Sequence, residues 1–531
     1  MILAYSLFIT VGSIEGFPDG LRVEENMPYL ADKPVGEDGY YMLTVAWNTA
    51  KGDFLAYNYG QETTGVQPLG TLLYAVVAWP VQQLGGDRWT FVRAILFFSS
   101  ALFVLFSFLV GHISRLLIGN GPRAETAFLL GTTLSLFNFD LFRTFTYGLE
   151  TGFYLIGIAC CVLWMMQKET IPLKQSLIFG ALIGITGLVR IDFGIVFAVL
   201  LIVLLFQRRI SLTGAFASGT TALALVSPWF GWVYYVTGDW LQSSGSAQSS
   251  VINASNAPGR LISMAEAVIN HMTPWVYTGS WTSLTIVAAV SLGVAGLLLY
   301  LLRRTGPEVA YNETGVSTLK AWAIASSILI VIYPIFFWAT HFYGRYTAPI
   351  TVVLLPALGA VSAYWIHSKH LSWLRRIVIP GLALSFFVWT GASLHTGRIG
   401  NSHAVTAGFL ETHVPSKYRI GAFQSGVIGY FHPNTINLDG KIDHRVAPFL
   451  KSNSIGEYVD RRNIDVLTDW KGALNRFEGD YLENHWKPCG PKIPNGMSFC
   501  RIRESLSSLT HDQYGPTTGK KSSSKKNLSA R

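Results

Sequence analysis

The sequence predicts a polytopic α-helical membrane protein with a small extracytoplasmic α/β domain at its C-terminal end. Half of its 531 residues are hydrophobic and only 13% are charged, whereas about a quarter of the residues in soluble globular proteins are charged. Long apolar runs recur through the first three quarters of the chain, and the bilayer core admits only helices and closed barrels. We therefore expect a transmembrane module over residues 1–397 and a separate domain over 398–504.

About eleven transmembrane helices are predicted from the apolar runs. The first is residues 1–14, which lack the basic leader and the cleavage site of a signal peptide. The run 68–84 is not counted as a span, because it contains Pro80 and because counting it disturbs the distribution of basic loops. The other ten lie near residues 91–111, 125–141, 149–166, 175–189, 193–206, 212–236, 282–302, 319–339, 346–366 and 376–394.

Basic residues in the short loops predict the orientation. With these eleven spans, the strongly basic loops share one face, which the positive-inside rule makes cytoplasmic. The N-terminus is then cytoplasmic, while the first large loop (15–90) and everything after His395 are extracytoplasmic. The net charge of +9 is explained by this orientation, so we exclude nucleic acid as a partner. Membrane lipids are the expected surroundings of the module.

The region after residue 398 alternates strand and helix signals. Short apolar stretches at Gly421–Phe431, Thr435–Gly440 and Ile464–Trp470 are bounded by Gly and Asn turns and predict strands. Residues 455–462 predict an intervening helix. The tail 505–531 is rich in Ser, Lys and Gly and is predicted to be disordered.

Cysteine positions agree with this sidedness. Cys489 and Cys500 flank a short loop in the predicted outer domain, where a disulfide can form and would contribute about 3 kcal/mol. Two unpaired thiols are the alternative. Cys160 and Cys161 lie within a predicted span and are expected to be packing residues.

Several motifs on the predicted outer face resemble those of one enzyme family. Gly36-Glu-Asp-Gly-Tyr-Tyr, followed by Gly65-Val-Gln-Pro-Leu, resembles the first-loop signature of bacterial GT-C glycosyltransferases. The arabinofuranosyltransferase-like and mannosyltransferase-like members are the most similar, and their outer domains have a pattern like Asn437 to Gly440. Further similar motifs are Tyr147-Gly-Leu-Glu-Thr-Gly, Gly187-Leu-Val-Arg-Ile-Asp and Gly344-Arg-Tyr.

The resemblance implies a GT-C-like fold and transfer of a sugar from a polyprenyl-phosphate donor, with inversion, to a cell-envelope glycan or lipid. Such transfer needs a base for the acceptor hydroxyl, and a carboxylate at the membrane surface can act as one. Asp38 is the first candidate and Glu37 the second. The alternative is that both acids stabilise the start of a helix near Tyr40. Tyr40 and Gln67, from the same first-loop signature, are candidate substrate contacts.

Positive charge is needed at the departing phosphate. Arg190 and Arg345 are the candidates, since a guanidinium can bind a phosphate through two hydrogen bonds, and His341 is a third. Arg190 could instead form a structural ion pair with Asp192 or Glu150. The alternative for Arg345 is contact with lipid headgroups, and His341 could be an ordinary surface residue.

Four other residues are candidates for binding substrate. Asp192 stands beside Arg190 in the same break, and Glu150 opens a predicted span at the outer surface, where it could orient the acceptor or simply favour a helix N-terminus. Trp275 and Tyr277 lie in the long outer loop 238–280 and could bind sugar rings or form the aromatic belt of the membrane interface. The cofactor is unknown. The sequence has no His/Cys cluster, so any metal held by Asp38 and Glu150 would be magnesium or calcium.

Two other classes of protein remain open. A transporter or lipid flippase also has many spans and intramembrane charges, but its halves should show internal repeats, and none is evident. A non-catalytic membrane scaffold would have no need of the Glu37-Asp38 pair or of the Arg190-Ile-Asp192 break. The enzyme is the interpretation favoured by the sequence.

Overall fold

The computed structural model describes residues 35–58, 61–249, 257–272, 312–336, 343–367, 376, 379–388, 390, 402–488 and 499–503. Before residue 398 it is almost entirely helical. The α-helices are Glu37–Ala50, Pro68–Gln83, Arg88–Ile118, Pro122–Leu136, Phe139–Thr146, Thr151–Met166, Leu173–Val189, Phe193–Phe206, Leu212–Thr237, Ser243–Ser249, Ala257–Met272, Glu313–Phe336, Tyr343–Thr347, Thr351–Ile366 and Ile379–Val388. A short hairpin pairs Ala56–Asn58 with Gln61–Glu62.

Three of the described helices are long and apolar enough to cross a membrane by themselves. They are Arg88–Ile118, Glu313–Ile335 and Tyr343–Ile366, the last containing a short 3-10 turn. The pair Phe139–Thr146 and Thr151–Met166 also has the required apolar length but is bent by 116°. The predicted spans 1–14 and 282–302 lie outside the described residues, so the count of eleven and the orientation stay predictions.

The run 68–84 forms the helix Pro68–Gln83, which begins with a proline and contains Pro80. Its 16 residues rise about 24 Å, less than the roughly 30 Å of hydrocarbon in a bilayer. The Gln82 side chain donates a hydrogen bond of 2.9 Å to the Trp47 carbonyl. The helix is therefore anchored on the preceding helix Glu37–Ala50.

The predicted single span 125–141 is wrong in detail. The chain forms one helix, Pro122–Leu136, and starts a second at Phe139. Asn138 causes the break, because its side chain accepts the Leu141 backbone N–H at 3.0 Å and so caps the second helix.

The C-terminal region contains a five-stranded sheet. Its order is Thr435–Asn437, Ile420–Ala422, Val466–Asp469, Phe499–Arg503, Trp486–Pro488, with the first three strands parallel and the last two antiparallel. The helices of this region are Ser402–His413, Gly426–Phe431, Ala447–Lys451, Ile455–Arg461, Lys471–Leu474 and Tyr481–His485, with a 3-10 turn at His444–Val446.

Three predicted strands and one predicted helix are present, with one correction. Strand Ile420–Ala422 ends early, and Gly426–Phe431 is a helix instead of a continued strand. The boundaries of the predicted domain stay a prediction. Cys489 lies outside the described residues, as does the side chain of Cys500, so the predicted disulfide also stays a prediction. The tail 505–531 lies outside them too.

The sheet region packs directly on the helix Glu37–Ala50, which we call the first-loop helix. Tyr40 is fully buried, with its ring 5.0 Å from that of Tyr430. Gly426 permits the contact, because a Cβ there would lie 2.1 Å from the Glu37 carbonyl oxygen. The first loop and the C-terminal region are therefore in direct contact.

Candidate active site

A cavity of about 450 Å³ lies where the first-loop helix meets the apolar helices and the C-terminal region. The turn Leu149–Glu150, the break Arg190–Asp192 and the turn Arg345–Tyr346 supply one side. Residues Gln242, Ser244 and Gly245 of the outer loop and Lys441 of the C-terminal region supply the other. Further lining side chains are Asp38, Tyr41, Met42, Val66, Gln67, Ile195, Tyr333 and Ile442.

Asp38 lines the cavity and has a cationic partner. The first-loop helix begins at Glu37, earlier than predicted, so Asp38 stands in its first turn. Its Oδ1 lies 3.7 Å from the Lys441 ammonium, and its side chain is 17% exposed. This ion pair raises the pKa of Lys441. Asp38 is thus a solvent-accessible carboxylate at the wall of the cavity.

Lys441 is held in place by Asp439. The Lys441 backbone N–H donates a 2.8 Å hydrogen bond to Asp439 Oδ1, and its ammonium lies 3.6 Å from Asp439 Oδ2. Burial raises the pKa of Asp439. The lysine therefore stands between two carboxylates, one from the first loop and one from its own loop.

Glu37 faces away from the cavity. Its carboxylate accepts the backbone N–H groups of Gly426 and, at 3.0 Å, Val427. These groups open the helix Gly426–Phe431, where a negative charge is favoured. Consecutive residues of a helix project about 100° apart. Glu37 and Asp38 can therefore serve different surfaces.

Arg190 is enclosed by anions and aromatic rings. It donates hydrogen bonds through Nε (3.0 Å) and Nη2 to the Asp192 carboxylate, and Nε lies 3.7 Å from Glu150 Oε1. Only 2% of its side chain is exposed. The ring centroids of Tyr154 and Tyr346 lie 5.1 and 5.0 Å from its guanidinium carbon. The predicted structural ion pairs with both Asp192 and Glu150 are present.

Arg345 is the more accessible arginine. Its side chain is 20% exposed, and its Nη2 lies 3.4 Å from Glu150 Oε1. The Arg345 carbonyl accepts a hydrogen bond of 3.2 Å from Arg190 Nη1, which links the two arginine turns. The ring of Tyr346 stacks on that of Tyr333 at 3.8 Å. Arg345 can therefore present positive charge to an anion in the cavity.

The remaining candidates divide between the cavity and the packed interior. Glu150 lines the cavity and contacts both arginines. Gln67 lines it too and accepts the Ile191 backbone N–H at 3.3 Å. Tyr40 is instead buried against Tyr430. His341, Trp275 and Tyr277 lie outside the described residues.

The outer loop begins as a wall of the cavity. Ser243 accepts or donates a 2.7 Å hydrogen bond with the Thr64 hydroxyl, and its backbone N–H donates to the same oxygen at 3.1 Å. These bonds attach the helix Ser243–Ser249 to the first loop. Ser244 and Gly245 then face the cavity.

Within the part of the chain that the structure describes, no group of three or more His, Cys, Asp or Glu side chains is arranged to hold a metal ion. Asp38 and Glu150 both line the cavity. Each already contacts a basic side chain, Lys441 and Arg345 respectively. Both carboxylates are therefore already paired with cations of the protein itself.

Sequence reasoning missed several residues of the cavity. Lys441 directly follows the motif Asn437–Gly440, and this proximity was the available signal. Tyr333 lies within an apolar helix and had no local signal, yet its hydroxyl donates to Asp192. Asp140 and His271 lie outside the residues that line this cavity, with Asp140 Oδ2 2.6 Å from His271 Nδ1 and His271 Nε2 2.8 Å from the Gly344 carbonyl oxygen.

The arrangement of helices and C-terminal sheet described above is shared with a solved structure. A solved structure of ArnT from Cupriavidus metallidurans bound to undecaprenyl phosphate has this fold. The two chains superpose with a TM-score of 0.59 over 94% of this chain and 97% of that one, at 12% sequence identity. No family model and no curated protein sequence matches the chain. The similarity therefore establishes the fold.

Proposed function

We propose that the chain is an integral membrane glycosyltransferase that moves a sugar from a polyprenyl-phosphate donor to an extracytoplasmic glycan or lipid of the cell envelope. One observation carries the proposal: Asp38, Glu150 and Arg345 line a single cavity above the apolar helices. The GT-C fold adds support, since ArnT with this fold holds undecaprenyl phosphate. The cell membrane, with the N-terminus inside and the C-terminal region outside, is the proposed location.

Asp38 is the proposed general base. It is 17% exposed at the cavity wall, so an acceptor hydroxyl can reach its carboxylate. The hydroxyl proton passes to the Asp38 carboxylate while the hydroxyl oxygen attacks the anomeric carbon. A carboxylate in this role typically contributes a factor of about 10²–10⁴ to the rate. Glu37, whose carboxylate accepts two backbone N–H groups, is not available for this proton.

Arg345 is the proposed phosphate-binding residue. It is ten times more exposed than Arg190, at 20% against 2%, and its long contact with Glu150 can open to admit an anion. Arg190 then has a positioning role, because its hydrogen bond to the Arg345 carbonyl fixes the turn that carries Arg345. The bond between the anomeric carbon and the phosphate oxygen breaks, and the electron pair leaves with the phosphate.

Inversion at the anomeric carbon is the expected outcome. A single direct attack inverts the anomeric carbon, whereas a double displacement through a covalent intermediate on a carboxylate retains it. The other two carboxylates that line the cavity, Glu150 and Asp192, both contact arginines. Neither is left as an open nucleophile in this arrangement.

Purified protein in nanodiscs, offered radiolabelled polyprenyl-phosphate sugars and envelope acceptors, tests the proposal. Wild-type protein should transfer label from at least one donor, and a folded Asp38→Asn variant should not. Undiminished transfer by the variant would support the proposed activity but reject Asp38 as the base. Failure of the wild type to transfer label or to bind undecaprenyl phosphate would reject the function and favour transport or a scaffold role.

A further inference from the structure

The acidic and basic side chains around the cavity are equal in number, and the C-terminal region supplies one of the basic ones. The acidic and basic side chains that line the cavity are three carboxylates and three cations. Arg190 is paired with Asp192 and Glu150, and Arg345 with Glu150. Lys441 is the remaining cation, and its cavity-lining partner is Asp38, the proposed base.

The reaction changes this balance at one point. A sugar-phosphate diester carries one negative charge, and the departing phosphomonoester carries a second at neutral pH. When Asp38 takes the acceptor proton, it loses its own negative charge. The neighbourhood of Lys441 therefore gains one unit of positive charge in the step that adds one unit of negative charge to the phosphate.

We propose that Lys441 is an active-site cation supplied by the C-terminal region, which pairs with Asp38 before transfer and with the departing phosphate afterwards. This inference rests on the proposed function. Lys441 Nζ lies 3.7 Å from Asp38 Oδ1, a contact loose enough to be exchanged, and its side chain is 25% exposed at the cavity wall. A long flexible side chain suits a cation that changes partners.

Asp439 determines where this cation can reach. Its Oδ1 accepts the Lys441 backbone N–H at 2.8 Å, and its Oδ2 lies 3.6 Å from the ammonium. The close approach of Gly65 fixes the same loop from the other side, since a Cβ there would lie 2.0 Å from the Lys441 carbonyl oxygen. The loop is thus immobilised on the first loop while the ammonium remains at the cavity.

The test is a double-mutant cycle on the binding of undecaprenyl phosphate to the full chain in detergent. The variants are Asp38→Asn, Lys441→Met and the combination of both. In Asp38→Asn the ammonium is released to the phosphate, so binding should tighten, and Lys441→Met should abolish that gain. The change in dissociation constant of the double variant should differ by about tenfold from the product of the two single changes, a typical coupling for side chains in contact.

Two further variants control for loss of structure. Lys441→Arg keeps the charge and should restore most of the binding gained in Asp38→Asn. Lys451→Met removes an exposed lysine of the same region that does not line the cavity, so binding should not change. If thermal unfolding shows that Lys441→Met is not folded, Lys441→Gln replaces it in the cycle.

Each result has one meaning. Non-additivity with rescue by arginine supports the inference. Additive effects would mean that Lys441 acts as a fixed charge that never exchanges partners, and would overturn it while leaving the proposed function intact. Absence of undecaprenyl phosphate binding in every variant, wild type included, would overturn the proposed function and this inference together.

Discussion

The two acidic residues at the start of the first-loop helix contact different parts of the C-terminal region. Glu37 faces the C-terminal region, where its carboxylate accepts the backbone N–H groups of Gly426 and Val427. Asp38 faces the cavity, where its partner is the Lys441 ammonium at 3.7 Å. We call the first the docking side and the second the cavity side.

Two neighbouring residues in one helical turn therefore have different roles, one in holding the C-terminal region and one at the cavity. Backbone N–H groups are fixed, so the docking side holds the C-terminal region in place. A lysine ammonium is movable, so the cavity side can change during a reaction. Because the sheet region supplies both partners, correct docking also delivers Lys441 to the cavity. The predictions below separate the two sides, from the largest expected effect to the smallest.

On the cavity side, Arg345→Met should reduce sugar transfer by about 10²–10³-fold, the usual cost of removing one group that stabilises developing negative charge. The change leaves the docking side untouched, so the unfolding temperature should stay close to that of the wild type. Steady-state transfer assays in nanodiscs measure the loss. Arg345→Lys, which keeps the charge, should recover part of it. Equal rates for Met and wild type would remove Arg345 from the site.

On the docking side, Gly426→Ala should destabilise the protein by about 3 kcal/mol, because overpacking forces the backbone to shift. The added Cβ would lie 2.1 Å from the Glu37 carbonyl oxygen. Thermal unfolding followed by tryptophan fluorescence measures the change. Gly472→Ala is the matched control, since a Cβ there has no neighbour within 4 Å. Equal stability of the two variants would show that the docking contact is looser than described.

Glu37→Gln should cost about 1.5 kcal/mol, the lower value for a hydrogen bond to a charged group, since the amide keeps one acceptor oxygen. Transfer should fall by only a few fold, because Glu37 does not line the cavity. Unfolding and transfer are measured on the same preparation. Glu457→Gln, at an exposed helix position, should change neither. A large loss of transfer activity in a Glu37→Gln protein that remains folded would mean that Glu37 acts at the cavity.

The last prediction concerns how stability depends on pH. Burial raises the pKa of Asp469 from 3.8 to about 6, so the folded state retains a proton that the unfolded state has released. Stability from this group is complete below pH 3.8 and is lost as the pH rises through about 6. Asp469→Asn should flatten this slope, and exposed Asp480→Asn should not. Unfolding temperatures measured from pH 4 to 7 test this. If they change with pH equally in the two variants, the raised pKa of Asp469 is contradicted.

Much of the cavity could be predicted from the sequence. Charged residues are costly at membrane depth, so Glu150, Arg190, Asp192 and Arg345 stood out in an apolar chain, and all four line the cavity together with Asp38. Their roles remain proposals. Their convergence was predictable because breaks between apolar segments must lie at a membrane surface, where they can meet.

Other features could not be predicted, for identifiable reasons. Glu37 and Tyr40 share a motif with Asp38, yet helical rotation turns them to the docking side, and no local pattern reveals where a helix faces. Lys441 lines the cavity beside Asp38, although the two residues are just over four hundred positions apart in the sequence. Tyr333 resembles any other aromatic residue of an apolar helix. Such contacts depend on the tertiary arrangement.

The most direct test of the division between the two sides is a comparison of Asp38→Asn with Glu37→Gln in one transfer assay, with thermal unfolding measured on each. We expect Asp38→Asn to lose about 10²–10⁴-fold in rate while it unfolds like the wild type. Glu37→Gln should keep most of its rate and unfold earlier. The reverse pattern, with Glu37→Gln inactive and Asp38→Asn active, would contradict the assignment of the base and of the docking contact.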